Sequence, residues 1–414
     1  MSGKSKAMQH DIVIAGGGMI GTSLALALAP LGLRVAVVEA VARQAASQPS
    51  FDDRTTALSR STQRMFEAMG LWEKIVAAST PIRTIHVSDQ GRFGFSHIDA
   101  EEQGVEALGY VVINRVLGSV LQSALDHSDG VDCLCPARIV GVDLDENGAT
   151  AVVDVGDATQ RLDCRLLVAA DGANSHVREM MGIPVQKSQY GQRAVIGNLM
   201  PEKKLEGRAF ERFTAQGPLA LLPVSDDRAG FVWTVREEDA ERVMALDDAT
   251  FLSEIQALFG YRLGMFSQVG KRACYPLTLS KAMRLTTTRG VLVGNAAHGL
   301  HPVAAQGFNL GMRDIASLCD CIADCRTAAI ETDPGDAAVL ARYASWRRAD
   351  QKKLVQFTDG LIRLFGSSRR PLRTLRNIGM IGFDLVPGVR SLFAKHTMGL
   401  AGRLPRLSRG MPLK

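Results

Sequence analysis

Cysteine is sparse in this chain: seven residues, an odd number, are scattered from Cys133 to Cys325 in 414. A disulfide framework belongs to small, cysteine-dense secreted chains, so this pattern argues for a reducing compartment. Cys319, Cys321 and Cys325 lie close together, but in an apparently helical stretch without a second cluster. Cysteine there is more commonly a small buried hydrophobe than a zinc ligand, and no metal is expected. Acid is nearly missing near the C-terminus: Leu361–Lys414 holds one, Asp384, against eleven Lys/Arg. That segment carries +10 of a net charge of +5, which leaves residues 1–360 at −5. Internal repeats and low-complexity stretches are absent. The longest uncharged run, Ile12–Leu33, spans 22 residues behind Lys4 and Lys6 and imitates a membrane span or a signal peptide. Gly16, Gly17, Gly18 and Gly21 interrupt it, so a strand, a turn and a helix are expected instead. The expectation is a soluble, cytoplasmic chain with no nucleic-acid partner, long enough for two domains or one composite α/β unit.

What is present begins with a βαβ unit. Asp11–Ala15 is a short apolar strand, a helix follows over Met19–Leu31, and a second strand covers Arg34–Glu39. Gly16-x-Gly18-x-x-Gly21 lies between the first strand and the helix, and Glu39 stands 18 residues beyond the last glycine. A GxGxxG alone says little. In this context it is a dinucleotide signature: the glycines admit a pyrophosphate at the helix N-terminus, and Glu39 addresses the adenosine ribose hydroxyls.

Helices are expected at Ser59–Met69 and Asn114–Asp126. Short alternating runs occupy Ile82–Ser88, Ala137–Leu144 and Ala151–Val155. Leu166–Ala170 is a buried strand that leads into "DGANSHVR". Residues 185–275 read as mostly strand-like (Arg193–Leu199, Ala209–Phe213, Leu219–Pro223, Gly230–Val235), an antiparallel sheet with one exposed face. Gly290–Val293 is a buried strand again, followed by "GNAAHGLHPVAAQGFNLGMRD" and a long helix from Phe308. His298, His301 and Asp314 in that stretch could be metal ligands. The small residues could equally lay backbone against something flat before the helix begins.

The three nucleotide-type segments, 11–39, 166–178 and 290–314, resemble those of the FAD monooxygenases with the p-hydroxybenzoate hydroxylase fold. "FDDRTTALS", "AFERFTAQGPLALLP" and the late motif are similar to the ubiquinone-biosynthesis hydroxylases, in particular those acting on 2-polyprenyl-6-methoxyphenol. The resemblance covers essentially the whole chain. It implies an α/β fold: a Rossmann-like FAD-binding domain, an inserted antiparallel β-sheet substrate domain and a helical C-terminal region. The segments would be 1–80 and 111–182 for FAD, 81–110 and 183–280 for substrate, 281–330 for the flavin and ribityl chain, and 331–414 for the basic helical end.

The resemblance also implies the site. Gly16, Gly18, Gly21 and Glu39 hold the ADP half of FAD, Arg54 reaches the pyrophosphate, and Arg115 contacts the adenosine half. Asp171 and Gly172 support the pyrophosphate and pyridine-nucleotide side. Asn295, Pro302, Gln306, Gly307 and Asn309 hold the ribityl chain and ring. The helix from Phe308 would place its positive dipole end at the flavin, favouring the reduced anion by ~0.3–2 kcal/mol. Asn295 departs from the Asp of most relatives, and Ala305 from the first glycine of GQG. His298 is read as a hydrogen-bonded structural residue; His301 is the one candidate for proton transfer. The implied reaction uses NAD(P)H and O2 to hydroxylate a polyprenylated phenol, with other ubiquinone-biosynthesis enzymes as partners. The basic end is the candidate for peripheral contact with the inner face of the membrane. Two rival readings use the same fold: a flavin-dependent isoprenoid reductase, and a prenyl-binding escort without catalysis.

Overall fold

The computed structural model describes residues 9–43, 54–91, 95–225, 227–299, 306–328, 333–366 and 387–413. The first sheet is built around β1 (His10–Ala15), in which Ile12, Val13 and Ile14 are wholly buried. A strand covered on both faces has no reason to alternate, hence its apolar run. β2 (Val35–Val38) and β11 (Ala158–Ala169) flank it in parallel, and β8 (Val131–Leu134) and β19 (Gly290–Leu292) continue the parallel series outward. β9 (Arg138–Leu144) and β10 (Ala149–Val155) fold antiparallel onto the long β11, and β18 (Thr286–Thr287) closes the other edge. The crevice outside the carboxyl ends of β11, β1 and β2 is where such a sheet accepts a ligand.

α1 (Met19–Leu28) starts at the extended Gly18 and passes into a tight turn at Ala29–Leu31, closed by Gly32 at φ +62°. Pro30 withholds its amide, so the α-helix stops short of Leu31.

A small sheet of β3 (Thr55–Ser59), β7 (Gly109–Ile113) and β4 (Ser79–Ile82) links the first sheet to a larger, mainly antiparallel one. In the larger sheet β17 (Ala273–Ala282), β12 (Val185–Pro201), β15 (Ala229–Arg236), β14 (Pro218–Pro223) and β13 (Arg208–Phe213) lie side by side. β13 then pairs in parallel with β5 (Thr84–Asp89), which carries β6 (Phe95–Asp99) at the edge. Residues 84–99 therefore join the sheet of residues 185–282. β16 (Phe266–Val269) and β20 (His298–Gly299) complete it.

One face of this sheet is sealed. Val195, Phe210, Leu221, Phe231 and Trp233 pack against helices α6 (Ala240–Ala245) and α7 (Asp248–Phe259). The sequence reads this segment as mostly strand-like and marks no helix in it; α6 and α7 are the two that it misses. Asp247 caps α7 by accepting from the Thr250 amide at 2.9 Å, and Gly260 ends it at φ +85°.

The helical C-terminal part contains α8 (Gln306–Ala328), buried from Leu310 to Ala323, and α9 (Ala337–Gly366) against it. Cys319 and Cys321 are fully buried in α8, and burial pushes the Cys321 thiol up to about 12. The basic end is not a loose tail where it is described. The helix Pro387–Thr397 and residues 398–413 dock on the body: Met398 and Ala394 pack with Ile98 and Leu108, and Leu407 and Leu413 enter the main core. Arg406 pairs with Asp320 and Asp324, and Arg403 stacks on Trp346 at 4.2 Å. Among the described residues no helix is long and apolar enough to cross a membrane.

Candidate cofactor and substrate site

The turn after β1 is shaped by what its glycines exclude. Gly16 sits at φ +100°, and a Cβ there would lie 2.7 Å from the Ala170 carbonyl oxygen. A Cβ on Gly21 would come within 1.8 Å of the Gly16 oxygen, so α1 can close onto the turn only through a glycine. The Gly17 amide donates to Glu39 Oε2 at 2.6 Å, and the Val41 amide to Oε1 at 2.7 Å. Glu39 thus leans over the turn from the end of β2. Residues 16–20 are only half-buried although Ile12–Ala15 just before them are buried. No side chain caps α1 and its first turn holds no acid. Unmet amides at a helix start, glycines that admit backbone approach and a carboxylate beside them fit a dinucleotide pyrophosphate and its ribose.

Asp171, beside this turn, serves locally: it accepts from the Ser175 hydroxyl and from the Val177 amide at 3.1 Å, capping α5 (His176–Met180). Gly172 takes φ +89°. Arg178 is 1% exposed and donates to the carbonyls of Ala173 at 3.2 Å and Ala296 at 3.1 Å. It ties this turn to the short turn Gly294–Ala296, in which Asn295 is exposed.

Asp314 anchors the late motif. It is fully buried and accepts from the Gly294 amide at 3.0 Å, while His298 Nε2 lies 2.6 Å and Arg347 Nε 2.6 Å away. Burial alone would raise its pKa; the charges of His298 and Arg347 outweigh that and lower it. Arg347 is raised in turn, burial being opposed by Asp314 and Asp350. His298 is therefore part of a buried hydrogen-bond network that runs through Asp314 and Arg347 to α9. His301, Pro302 and Ala305 lie outside the described residues, as does the side chain of Gln306.

Asn309 spends its side chain inside the protein. Its Oδ1 accepts from the Ser59 amide and the Thr62 hydroxyl, both at 2.8 Å, and its Nδ2 donates to the Ala57 carbonyl at 2.8 Å. It clamps β3 and α2 (Arg60–Ala68) to the start of α8. At Gly311 a Cβ would lie 2.7 Å from Ile20 Cδ1, the movable end of a side chain, and 3.2 Å from Gly294 Cα, so α8 runs close against the turn at Gly294. At Gly307 a Cβ would meet no described residue within 4 Å. Arg54 lies over the Tyr275 ring at 5.1 Å, and its carbonyl accepts from the Asn114 amide at 2.8 Å. Arg115 is exposed at the start of α4 (Asn114–Asp126), while Asn114 is buried and accepts from the Thr56 hydroxyl at 2.7 Å.

A family model described as an FAD binding domain matches residues 9–358. The chain belongs to the FAD-dependent flavoprotein monooxygenases. Ubiquinone hydroxylase UbiL of Rhodospirillum rubrum is 37% identical over 97% of this chain and 93% of its own. The 3-demethoxyubiquinol 3-hydroxylase of Escherichia coli is 31% identical over 94% of this chain and 98% of its own. Among solved structures, p-nitrophenol 4-monooxygenase from Pseudomonas putida superposes with a TM-score of 0.78 at 18% identity, covering 95% of this chain and 98% of that one.

In a flavoprotein monooxygenase of this family, bound FAD supplies the redox chemistry, with NAD(P)H as the usual electron donor. The residues around it bind, orient and keep water out. Of those the sequence singled out, Gly16, Gly18, Glu39, Asp171 and Gly172 follow the carboxyl ends of β1, β2 and β11. Arg54 is stacked on Tyr275 of β17, Arg115 is exposed on α4, and Asn309 joins α8 to β3. Arg347 and Tyr275 were not singled out: they stand 33 residues from Asp314 and 221 from Arg54, and no local pattern marks them.

Proposed function

We propose that this chain is a ubiquinone-biosynthesis hydroxylase that uses NAD(P)H and O2 to hydroxylate a polyprenylated phenol, 2-polyprenyl-6-methoxyphenol. The observation that carries this reading is the 37% identity to a ubiquinone hydroxylase along 97% of the chain. In this reading Gly16, Gly18, Gly21, Glu39 and Arg54 receive the ADP half of FAD. Asn295 and the start of α8 at Gly307 receive the ribityl chain and ring. The face of the large sheet opposite α7 supplies an apolar wall: Val87, Ala220, Leu222, Val232 and Ile196 are half-buried there. A polyprenyl chain keeps its phenol in a membrane, so the arginine-rich stretch 367–386 makes peripheral contact with anionic lipid.

The E. coli relative's name favours one second reading, with 3-demethoxyubiquinol as the substrate. Mass analysis of quinone precursors in cells lacking this protein separates the two. Accumulation of 2-polyprenyl-6-methoxyphenol is expected. Accumulation of demethoxyubiquinol instead moves the assignment to the other ring position, and an unchanged quinone profile overturns both.

A further inference from the structure

Register places Glu211 and Asp89 on the face of the large sheet opposite α7. Glu211 of β13 stands opposite Val87 of β5 and Ala220 of β14; Ala220 stands opposite Val232, and Val232 opposite Ile196. Paired residues in a sheet share a face. The other face of β13 carries Phe210 and belongs to the core under α7. The Glu211 face is turned toward the nucleotide-binding part. Ala209 and Leu222 on it pack with Ile82, Val111 and Ala57 of the small sheet. Further along it, Tyr275 meets Arg54. A Cβ on Gly230 would lie 3.2 Å from the Thr55 hydroxyl. β3, which starts at Thr55, is in turn held by Asn309 at the start of α8. Glu211 therefore sits one row beyond the contact made by Ala209 and Leu222, in a row whose strand residues Val87, Ala220, Val232 and Ile196 are half-buried, on the face turned toward the nucleotide-binding part.

Among the described residues nothing hydrogen-bonds to or pairs with the Glu211 carboxylate. An unpartnered carboxylate in an apolar row is costly unless it has work to do. We propose that Glu211 is the general base of the hydroxylation, accepting the hydroxyl proton of a phenol that lies against the row Val87, Ala220 and Val232. The inference rests on the phenol reading given above. In the step, the phenol O–H bond breaks, the proton passes to a Glu211 oxygen, and the electron pair stays on the phenol oxygen. That raises electron density at the ring carbon that receives oxygen. The proton returns to water when product leaves.

Burial raises the Glu211 pKa to about 7, from 4.5 for an ordinary glutamate. No charge contributes to that shift. Asp89, at the end of β5 on the same face, acts on Arg212, and Arg54 is stacked on Tyr275. Pro218, Leu222 and Thr234 on the adjoining strands do not titrate in this range. A base with that pKa is half-ionised at neutral pH, the condition under which general bases work best.

The test compares the FAD-loaded wild type with Glu211→Gln and Glu211→Asp, using 2-methoxy-6-prenylphenol with one isoprene unit, NAD(P)H and O2. The readouts are flavin content, hydroxylated product and the pH profile of kcat. Wild type should gain activity through a limb near pH 7. Glu211→Gln, a near-isosteric change, should keep its flavin, lose roughly 100-fold in kcat and lose the limb. Glu211→Asp should recover part of the rate and keep a limb. Wild-type rate and an unaltered limb in Glu211→Gln would remove Glu211 from the chemistry and leave the phenol reading standing. A wild type that hydroxylates no phenol would overturn that reading and this inference together.

Discussion

Asn309 carries three hydrogen bonds that join α8 to β3 and α2. Replacing it by alanine strands the Ser59 amide and the Ala57 carbonyl in the interior, so Asn309→Ala should cost about 2–3 kcal/mol of folding stability. Denaturant unfolding of flavin-free protein reads this directly. An unchanged midpoint would return Asn309 to the role of a cofactor contact alone. Its identity was legible in the late motif; its task was not, because its partners lie about 250 residues away along the chain. Asp314 behaves likewise. Its folded pKa is lowered from 3.8, so the stability it supplies is complete above about pH 4 and lost as pH falls through the folded value. Asp314→Asn should flatten that acid limb and leave the buried Arg347 short of a counter-charge at neutral pH. The check is melting temperature against pH for both proteins; parallel curves would show that Asp314 is not ionised. Glu211 has the opposite sign. With a folded pKa near 7 against 4.5 unfolded, its contribution is present below 4.5 and lost as pH rises through 7.

At the scale of elements, the parallel strands and the glycine turn were legible because burial on both faces leaves an apolar run that punctuation bounds on either side. α6 and α7 were not, although Phe251, Ile255 and Phe259 recur every four residues. Strand alternation on either side masked a helical period only 12 residues long. Phe251 is the residue on which this part of the fold depends most plainly. It is wholly buried, its ring lies 5.5 Å from both Phe231 and Trp233, and Arg272 stacks on it at 4.7 Å. Phe251→Ala should destabilise the large sheet by about 3–5 kcal/mol, with the cavity unable to collapse against a rigid strand face. Limited proteolysis should then cut residues 185–282 before the nucleotide-binding part. Uniform resistance would mean that α7 is an accessory to the sheet.

The C-terminal segment changes meaning at the scale of the molecule. Composition alone gives a tail of +10. Packing divides it. Residues 387–413 are built into the body, with Arg390, Arg403 and Arg406 engaged by Glu102, Trp346 and the Asp320–Asp324 pair. A chain ending near Gly366 would lose Met398, Leu407 and Leu413 from the core, so truncation tests folding rather than membrane contact. The charge left for a lipid surface is concentrated in Arg369, Arg370, Arg373 and Arg376, within the stretch 367–386 that lies outside the described residues. Near an anionic surface each basic residue contributes up to about 1 kcal/mol, an effect that falls off within a Debye length and weakens with salt. Replacing all four by glutamine leaves every docked residue in place. The wild type should co-sediment with anionic vesicles at low salt, less at high salt, and poorly with neutral ones. The fourfold variant should lose most of the anionic binding while keeping flavin and melting temperature. Equal sedimentation of both proteins, or of neither, would take these arginines out of membrane contact and leave them to a protein partner of the hydroxylase.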